Sequence, residues 1–292
     1  MGVVTVAADW VAAPVQAGAV HRALLVAVVA GAVCAVLSCW VTLVGWSLMG
    51  DAVSHAVLPG VVLASVAGVP LVVGALVFGA GSVALIGVVN RTSRVKEDAV
   101  TGVVFTGMFA LGLVLVSAVP GRTDMEDILF GNVLEVSGAG VGQVLVMAAA
   151  VAGVVWVKHR DLTLYAFDRV HAHAVGISPR RLEALLLGLL AVTVVVALQV
   201  VGVILVVAMV VVPGATAYLL TDRFERMVVI AVAAAVVSAV AGVCVGYRWG
   251  VSIGGCVVSV QAVVFLAVYL FSPVHGVAGR WRRRAGAGAA GR

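Results

Sequence analysis

Long runs of apolar residues follow one another along the chain, separated by short polar stretches. Most runs reach about 20 residues, the length that a helix needs to cross the hydrocarbon core of a bilayer. The apolar residues are contiguous and do not alternate with polar ones, which argues against a membrane β-barrel. The candidate spans are residues 20–45, 52–68, 70–90, 101–118, 139–157, 182–199, 201–220, 227–246 and 251–271.

Two segments leave the number of spans open. Residues 199–220 contain Gly202, Pro213 and Gly214, which allow either one bent helix or two separate elements. The segment around 51–60 allows a short or broken span. The pattern therefore predicts an all-α polytopic membrane protein with eight or nine transmembrane helices.

The composition agrees with this fold class. Hydrophobic residues make up 63% of the 292 residues and charged residues 11%, against about 25% charged residues in soluble domains. The positive excess of +5 lies in loops and tail, where membrane orientation accounts for it without a nucleic-acid partner. The four cysteines lie in apolar runs and form no C-x-x-C motif, which favours a packing role.

The distribution of Lys and Arg predicts the side of the membrane that each connection faces. Basic residues concentrate in 90–98, 158–181 and 273–292, which we expect to be cytoplasmic. The segment 119–138 is rich in acidic residues and is expected outside. Counting nine spans would also place the N-terminus outside.

The chain divides into three parts on this basis. Residues 1–18 lack the basic start of a cleaved signal peptide and are interpreted as an N-terminal interfacial segment. Residues 19–272 form the transmembrane domain, which includes the cytoplasmic loop 158–181. Residues 273–292 form a basic cytoplasmic tail.

One pair of polar residues interrupts the first half of this apolar sequence. Between Ala23 and Asn90, Asp51 and His55 are the only charged residue and the only histidine. Their spacing of four places them on one face of a helix. A carboxylate in hydrocarbon is costly, so it should face the protein interior or water. Ser54 lies beside them, and Pro59 deprives the His55 carbonyl of its helical donor, which predicts a polar patch.

The residues alone leave three interpretations of this patch. It could be a local hydrogen bond that locks packing, a proton relay or a metal site. Imidazole nitrogen and carboxylate oxygen are ligands for Zn²⁺, Mn²⁺ and Fe²⁺. Two ligands per chain make a weak site, but a two-fold homodimer would bring four together on its axis.

Four stretches resemble the permease subunits of zinc, manganese and iron ABC importers, the ABC-3 family. They are "GDAVSHAVLPGVVLA" at 50–64, "KEDAVTGVVFTGMFALGLVLVS" at 96–117, "DILFGN" at 127–132 and "VVGVILVVAMVVVPGATA" at 200–217. They occur in the expected order and sample most of the chain from about 20 to 270.

The resemblance implies a type II importer fold like that of the vitamin B12 permease, in a bacterial inner or plasma membrane. It implies a homodimer that works with a separate ABC ATPase subunit and an extracytoplasmic metal-binding protein. No cofactor would be permanently bound: the metal is the transported substrate, and ATP binds the partner. Asp51 and His55 correspond to the residues that line the metal pathway in that family.

The loop 158–181 is the candidate connection to the ATPase. Asp168 can cap a short helix at its N-terminus, and Gly176 suits the C-terminal end. The resemblance identifies this helix as the coupling helix of an ABC permease. The side chains that could fill a groove on the ATPase are those of Phe167, Val170 and Val175. The other interpretation is an amphipathic surface turn without a partner.

The energy source for transport must come from another chain. A P-loop needs a Gly-Lys-Ser/Thr sequence, but Lys96 and Lys158 are each preceded by valine. We therefore expect a transport subunit that is not itself an enzyme and that imports a divalent transition metal. A permease for metal chelates or vitamin B12-type substrates is the alternative. An intramembrane metalloprotease is disfavoured because the sequence has no H-E-x-x-H motif.

Overall fold

The computed structural model describes residues 18–46, 48–118, 136–272 and 276. The described part of the chain is built from helices. They are α1 (Gly18–Val44), α2 (Met49–Ala67), α3 (Leu71–Thr92), α4 (Glu97–Ala118), α5 (Gly138–Phe167), α6 (Arg169–Ala174), α7 (Pro179–Val201), α8 (Val203–Tyr218), α9 (Phe224–Trp249) and α10 (Ile253–Phe271).

Eight helices in the described ranges are long and apolar enough to cross a membrane, and α8 is a shorter apolar helix of 16 residues. The prediction of an all-α polytopic membrane protein is therefore confirmed. Residues 1–17, nearly all of the acidic segment 119–138 and most of the tail 273–292 lie outside the described residues. The interfacial N-terminus and the basic tail therefore stay predictions.

The segment 199–220 forms two elements rather than one bent helix. Helix α7 ends at Val201, and α8 begins at Val203. The residue between them, Gly202, has a φ of +87°, a backbone conformation that side chains other than that of glycine rarely adopt. Pro213 lies inside α8 without ending it.

Helix α2 is central in the bundle. In α2, 72% of an apolar 18-residue stretch is buried inside the bundle. The corresponding share is 22% in each of α3, α4 and α10. It packs against α3, α4, α7 and α8, whereas α1 packs against α5, α8 and α9. Helices α7 and α8 thus join the group α2–α3–α4 to the group α1–α9–α10. The outward faces of α3, α4 and α10 are left for lipid or for another subunit.

Small residues allow the central helices to approach closely. Gly60 of α2 and Gly74 of α3 face each other, and a Cβ on either would overlap the carbonyl oxygen of the other. Close backbone approach replaces the hydrophobic driving force that is missing between helices in lipid. The four cysteines are unpaired, and Cys34, Cys39 and Cys244 are buried in the bundle. Their burial agrees with the packing role expected from the sequence.

Candidate metal pathway

Asp51 and His55 lie on one face of α2, as their spacing predicts. Asp51 is in the first turn of the helix, where the positive end of the helix dipole favours a carboxylate. Oδ1 of Asp51 is 3.3 Å from Nε2 of His55, and the side chains are 34% and 22% exposed. Among the described residues, Asp51 forms its ion pair with His55.

The separation of these two atoms fits a shared cation. Hydrogen bonds between N–H and oxygen usually span about 2.7–3.2 Å, so 3.3 Å is long for a bond that locks packing. Zinc–nitrogen and zinc–oxygen bonds are about 2.0–2.2 Å, so two ligands on one edge of a tetrahedral shell are roughly 3.3–3.5 Å apart. The distance between these two atoms is therefore compatible with one such edge.

The pair lies deep in the bundle, although it is close to the start of α2. The preceding residue, Gly50, faces Val210 near the middle of α8; a Cβ on Gly50 would be 2.9 Å from Val210 Cγ1. One turn beyond His55, Leu58 packs against Gly112 of α4. Helix α2 thus begins inside the bundle and carries the two polar side chains to mid-depth.

Two phenylalanines of α4 hold the imidazole. The ring of His55 meets Phe105 and Phe109 edge-on, with centroid distances of 5.0 and 4.9 Å. The two phenylalanine rings are 6.3 Å apart and nearly parallel. This packing limits the rotation of the imidazole and keeps Nε2 toward Asp51. These two residues were not among the predicted site residues, although their spacing of four indicates a shared helical face.

Ser54 contributes less to the polar patch than its position suggests. Its Oγ donates a hydrogen bond to the Gly50 carbonyl at 2.8 Å, and the side chain is buried. Ser54 and His55 line a small cavity of about 10 Å³ together with Phe109, which is about the space needed for one water molecule. Pro59 lies within α2 and leaves the His55 carbonyl without an i+4 donor, as predicted.

The described residues of one chain do not complete a metal shell. No group of three or more His, Cys, Asp or Glu side chains that could hold an ion occurs in the described ranges. A bound cation would therefore need water, backbone carbonyls or a second subunit to complete its coordination.

The segment after α5 has the local structure that its sequence predicts. Oδ1 of Asp168 accepts hydrogen bonds from the amides of Val170 and His171 at 2.9 and 2.8 Å, which caps α6. Gly176 has a φ of +86° just after this helix. Residues 158–167, which the sequence analysis assigned to the loop, instead continue helix α5, so the connection is limited to 168–178.

The short connection exposes apolar side chains. Phe167 is 60% exposed, Val170 81% and Val175 59%, while Ala172 is buried. The small side chain of Ala172 is thus buried against the bundle, whereas the larger apolar side chains are exposed. Exposed apolar groups that cluster in this way are typical of interaction surfaces.

These features define a class: a polytopic helical membrane protein with a carboxylate–imidazole pair at mid-depth and an exposed apolar connection at one end. Residues 16–272 match the ABC 3 transport family, and the chain belongs to that family.

Named relatives agree with this assignment. The chain is 46% identical over 278 residues to the manganese transport system membrane protein MntB of Synechocystis, covering 95% of this chain and 91% of the relative. It is 44% identical over 267 residues to a probable iron transport system membrane protein of Haemophilus influenzae, covering 91% and 98%. The structure of PsaBC from Streptococcus pneumoniae in complex with Fab superposes with a TM-score of 0.83 at 33% identity, covering 92% of this chain and 97% of that one.

Proposed function

We propose that this protein is the membrane permease of an importer that moves a divalent transition metal into the cytoplasm. The observation that carries the proposal is the pair Asp51–His55, partly exposed at mid-depth in an otherwise apolar bundle. Manganese and iron are the metals named for the related transport proteins. Both ions accept carboxylate and imidazole ligands.

Each side chain has a distinct role in binding the ion. Asp51 supplies negative charge and an oxygen ligand, which offsets the loss of hydration as the cation enters the bundle. His55 supplies a nitrogen ligand. Phe105 and Phe109 do not bind the ion but hold the imidazole in place.

A homodimer completes the site in this proposal. Two copies related by a two-fold axis would bring two carboxylates and two imidazoles to the same ion. The partial exposure of both side chains in the single chain leaves room for that approach. The fold would be that of a type II importer, with metal released when the subunits rearrange.

Energy comes from a separate ABC ATPase that docks on α6. The exposed side chains of Phe167, Val170 and Val175 would enter a groove on that subunit, with Asp168 and Gly176 fixing the ends of the helix. An extracytoplasmic binding protein would deliver metal to the opposite end. In this proposal α6, the loop 93–96 and the C-terminus face the cytoplasm of a bacterial cell, which the basic residues near them support.

Uptake in cells tests the proposal and its alternative. The permease is expressed with its cognate ATPase and binding protein in a bacterium that lacks its own metal importers, and radioactive Mn²⁺, Fe²⁺ and Zn²⁺ are followed. We expect ATP-dependent accumulation of at least one free ion, with no competition from vitamin B12 or ferric chelates. Uptake of chelates with no uptake of free ions would instead support the chelate permease.

A further inference from the structure

A basic groove lies between the ends of α5 and α9 that face the cytoplasm in the proposed orientation. Arg160 comes from α5, Arg226 comes from the first turn of α9, and Arg223 is the N-cap residue just before that helix. The groove has a volume of about 670 Å³, within the range of about 300–1,000 Å³ for small-molecule sites. It is separate from the Asp51–His55 pair and plays no part in the proposed metal pathway.

Trp40 of helix α1 contacts one lining residue on each wall of this groove. Nε1 of Trp40 donates a hydrogen bond to Oγ1 of Thr163 on α5 at 3.3 Å. The indole also packs against Phe224 of α9, with ring centroids 5.0 Å apart. Trp40 thus contacts both walls and holds them apart, which gives the groove a fixed shape.

The charge of the groove is unbalanced. All three arginines are exposed, and none forms an ion pair within the described ranges. Glu225 supplies a carboxylate among the lining residues, so the balance of these side chains is three positive charges against one negative. By contrast, the neighbouring Lys158 is paired with Asp161 at 3.0 Å.

The lipid-facing surface begins immediately beside the arginines. Trp156, one turn from Arg160 on the membrane side, is 82% exposed, as expected for an aromatic residue at the bilayer interface. On α9, Val229 follows Arg226 by three residues and is 69% exposed. Arg160 and Arg226 therefore lie at headgroup depth, with apolar side chains above them for acyl chains.

We propose that this groove binds the phosphate headgroup of an anionic phospholipid of the cytoplasmic leaflet. The planar guanidinium of arginine can donate two hydrogen bonds to two oxygens of a phosphate, and basic pockets between transmembrane helices on this side bind acidic lipid headgroups. Docking of the ATPase is the less favoured occupant. Helix α5 continues for seven residues beyond Arg160 to Phe167 before α6 begins, a rise of roughly 10 Å.

Lipid binding by the purified complex of permease and cognate ATPase provides the test. Retention of phosphatidylglycerol and of phosphatidylcholine is measured by native mass spectrometry for the wild type and the double variant R160Q/R226Q. We expect retention of phosphatidylglycerol to weaken at least about tenfold in the variant, since each basic residue near an anionic surface contributes noticeably to lipid affinity. Retention of phosphatidylcholine should be weak and unchanged.

Two further variants make the test specific. R94Q/R181Q removes two exposed arginines elsewhere and should retain phosphatidylglycerol like the wild type. R160K/R226K keeps the charge and should restore most of the binding. If R94Q/R181Q lost phosphatidylglycerol to the same extent as R160Q/R226Q, lipid retention would depend on net charge alone. That result would overturn the proposal.

Two further outcomes would show that the groove binds something other than a lipid. Inorganic phosphate is added at concentrations that leave the wild-type complex intact. If it displaces phosphatidylglycerol, the groove is a site for free anions rather than for lipid. Loss of the ATPase from R160Q/R226Q with lipid retention unchanged would identify a docking surface. The proposal depends on the orientation given above but not on metal transport, so failed metal uptake with normal lipid retention would contradict only the proposed function.

Discussion

The Asp51–His55 pair and the connection 168–178 place polar and apolar groups in opposite environments. The pair sets a carboxylate and an imidazole inside an apolar bundle, and the described residues of one chain offer no third His, Cys, Asp or Glu beside them. The connection satisfies its own backbone through Asp168 and exposes apolar side chains. In the proposed function, a cation binds the first region and a partner subunit covers the second.

The two regions also differ in which contacts determine their structure. Helix α6 is specified locally, because its cap and its terminal glycine lie within nine residues of each other. The geometry of His55 depends on α4, about fifty residues away in the sequence. Changes in the connection should therefore act on assembly, whereas changes around the pair should act on metal affinity.

The largest effect is expected from removing a ligand. Asp51→Asn and His55→Gln should each lower metal uptake by more than about a hundredfold, because changes merely adjacent to metal ligands already cost 10–100-fold. Association with the ATPase should persist. The matched control is Asp161→Asn, which breaks the similarly exposed pair with Lys158 and should leave uptake unchanged. Normal uptake in both site variants would remove the site assignment.

Removal of the exposed apolar groups should have the next largest effect. Phe167→Ser combined with Val170→Ser should weaken association with the ATPase by about thirtyfold, since buried interface anchors contribute more than 1 kcal/mol each. Metal binding by the permease should remain. Val95→Ser alters a 53% exposed valine in another connection and serves as the control. Unaltered co-purification of the double variant would exclude this surface as the docking site.

Loosening the imidazole should have a smaller effect. Phe105→Leu and Phe109→Leu should each lower apparent metal affinity by about tenfold, with maximal uptake less affected, because the ligand remains but is less well oriented. The control is Phe265→Leu, from another stacked aromatic pair spaced by four, at 6.4 Å from Tyr269. Saturation curves for uptake measure the change. Equal effects in all three variants would point to a general packing defect.

The smallest effect is expected at the cap of α6. Asp168→Ala should destabilise this helix by about 1 kcal/mol and lower uptake about fivefold or less. Asp168→Ser retains a capping oxygen and should behave nearly like the wild type. Hydrogen exchange at residues 169–174, measured in the assembled complex, reports the helix directly. A serine variant as impaired as the alanine variant would mean that the carboxylate acts through its charge and not as a cap.

Much of the architecture is readable from the sequence because lipid imposes a simple rule. Continuous apolar runs locate the spans, and the carboxylate with its imidazole stands out against them. The cap at Asp168 follows from local hydrogen-bonding chemistry. At Gly202 the sequence allowed either one bent helix or two elements. The positive φ of Gly202 belongs to a break between two helices.

The features that the sequence did not predict depend on contacts between residues that are far apart in the sequence. Nothing local indicates that Phe105 and Phe109 meet His55, because phenylalanine on an apolar helix is ordinarily a lipid-facing or packing residue. The basic groove likewise requires knowing that α5 and α9 both lie against Trp40. The extension of α5 through Phe167 was missed because charged residues after Val157 resemble a loop.

Direct metal binding is the decisive measurement for the central claim that the pair holds the transported cation. Titration of Mn²⁺ into the purified complex, followed by electron paramagnetic resonance, should show a bound ion in the wild type and in Asp161→Asn. The signal of the bound ion should disappear in Asp51→Asn and His55→Gln. A bound-ion signal of the same affinity in all four proteins would contradict the claim.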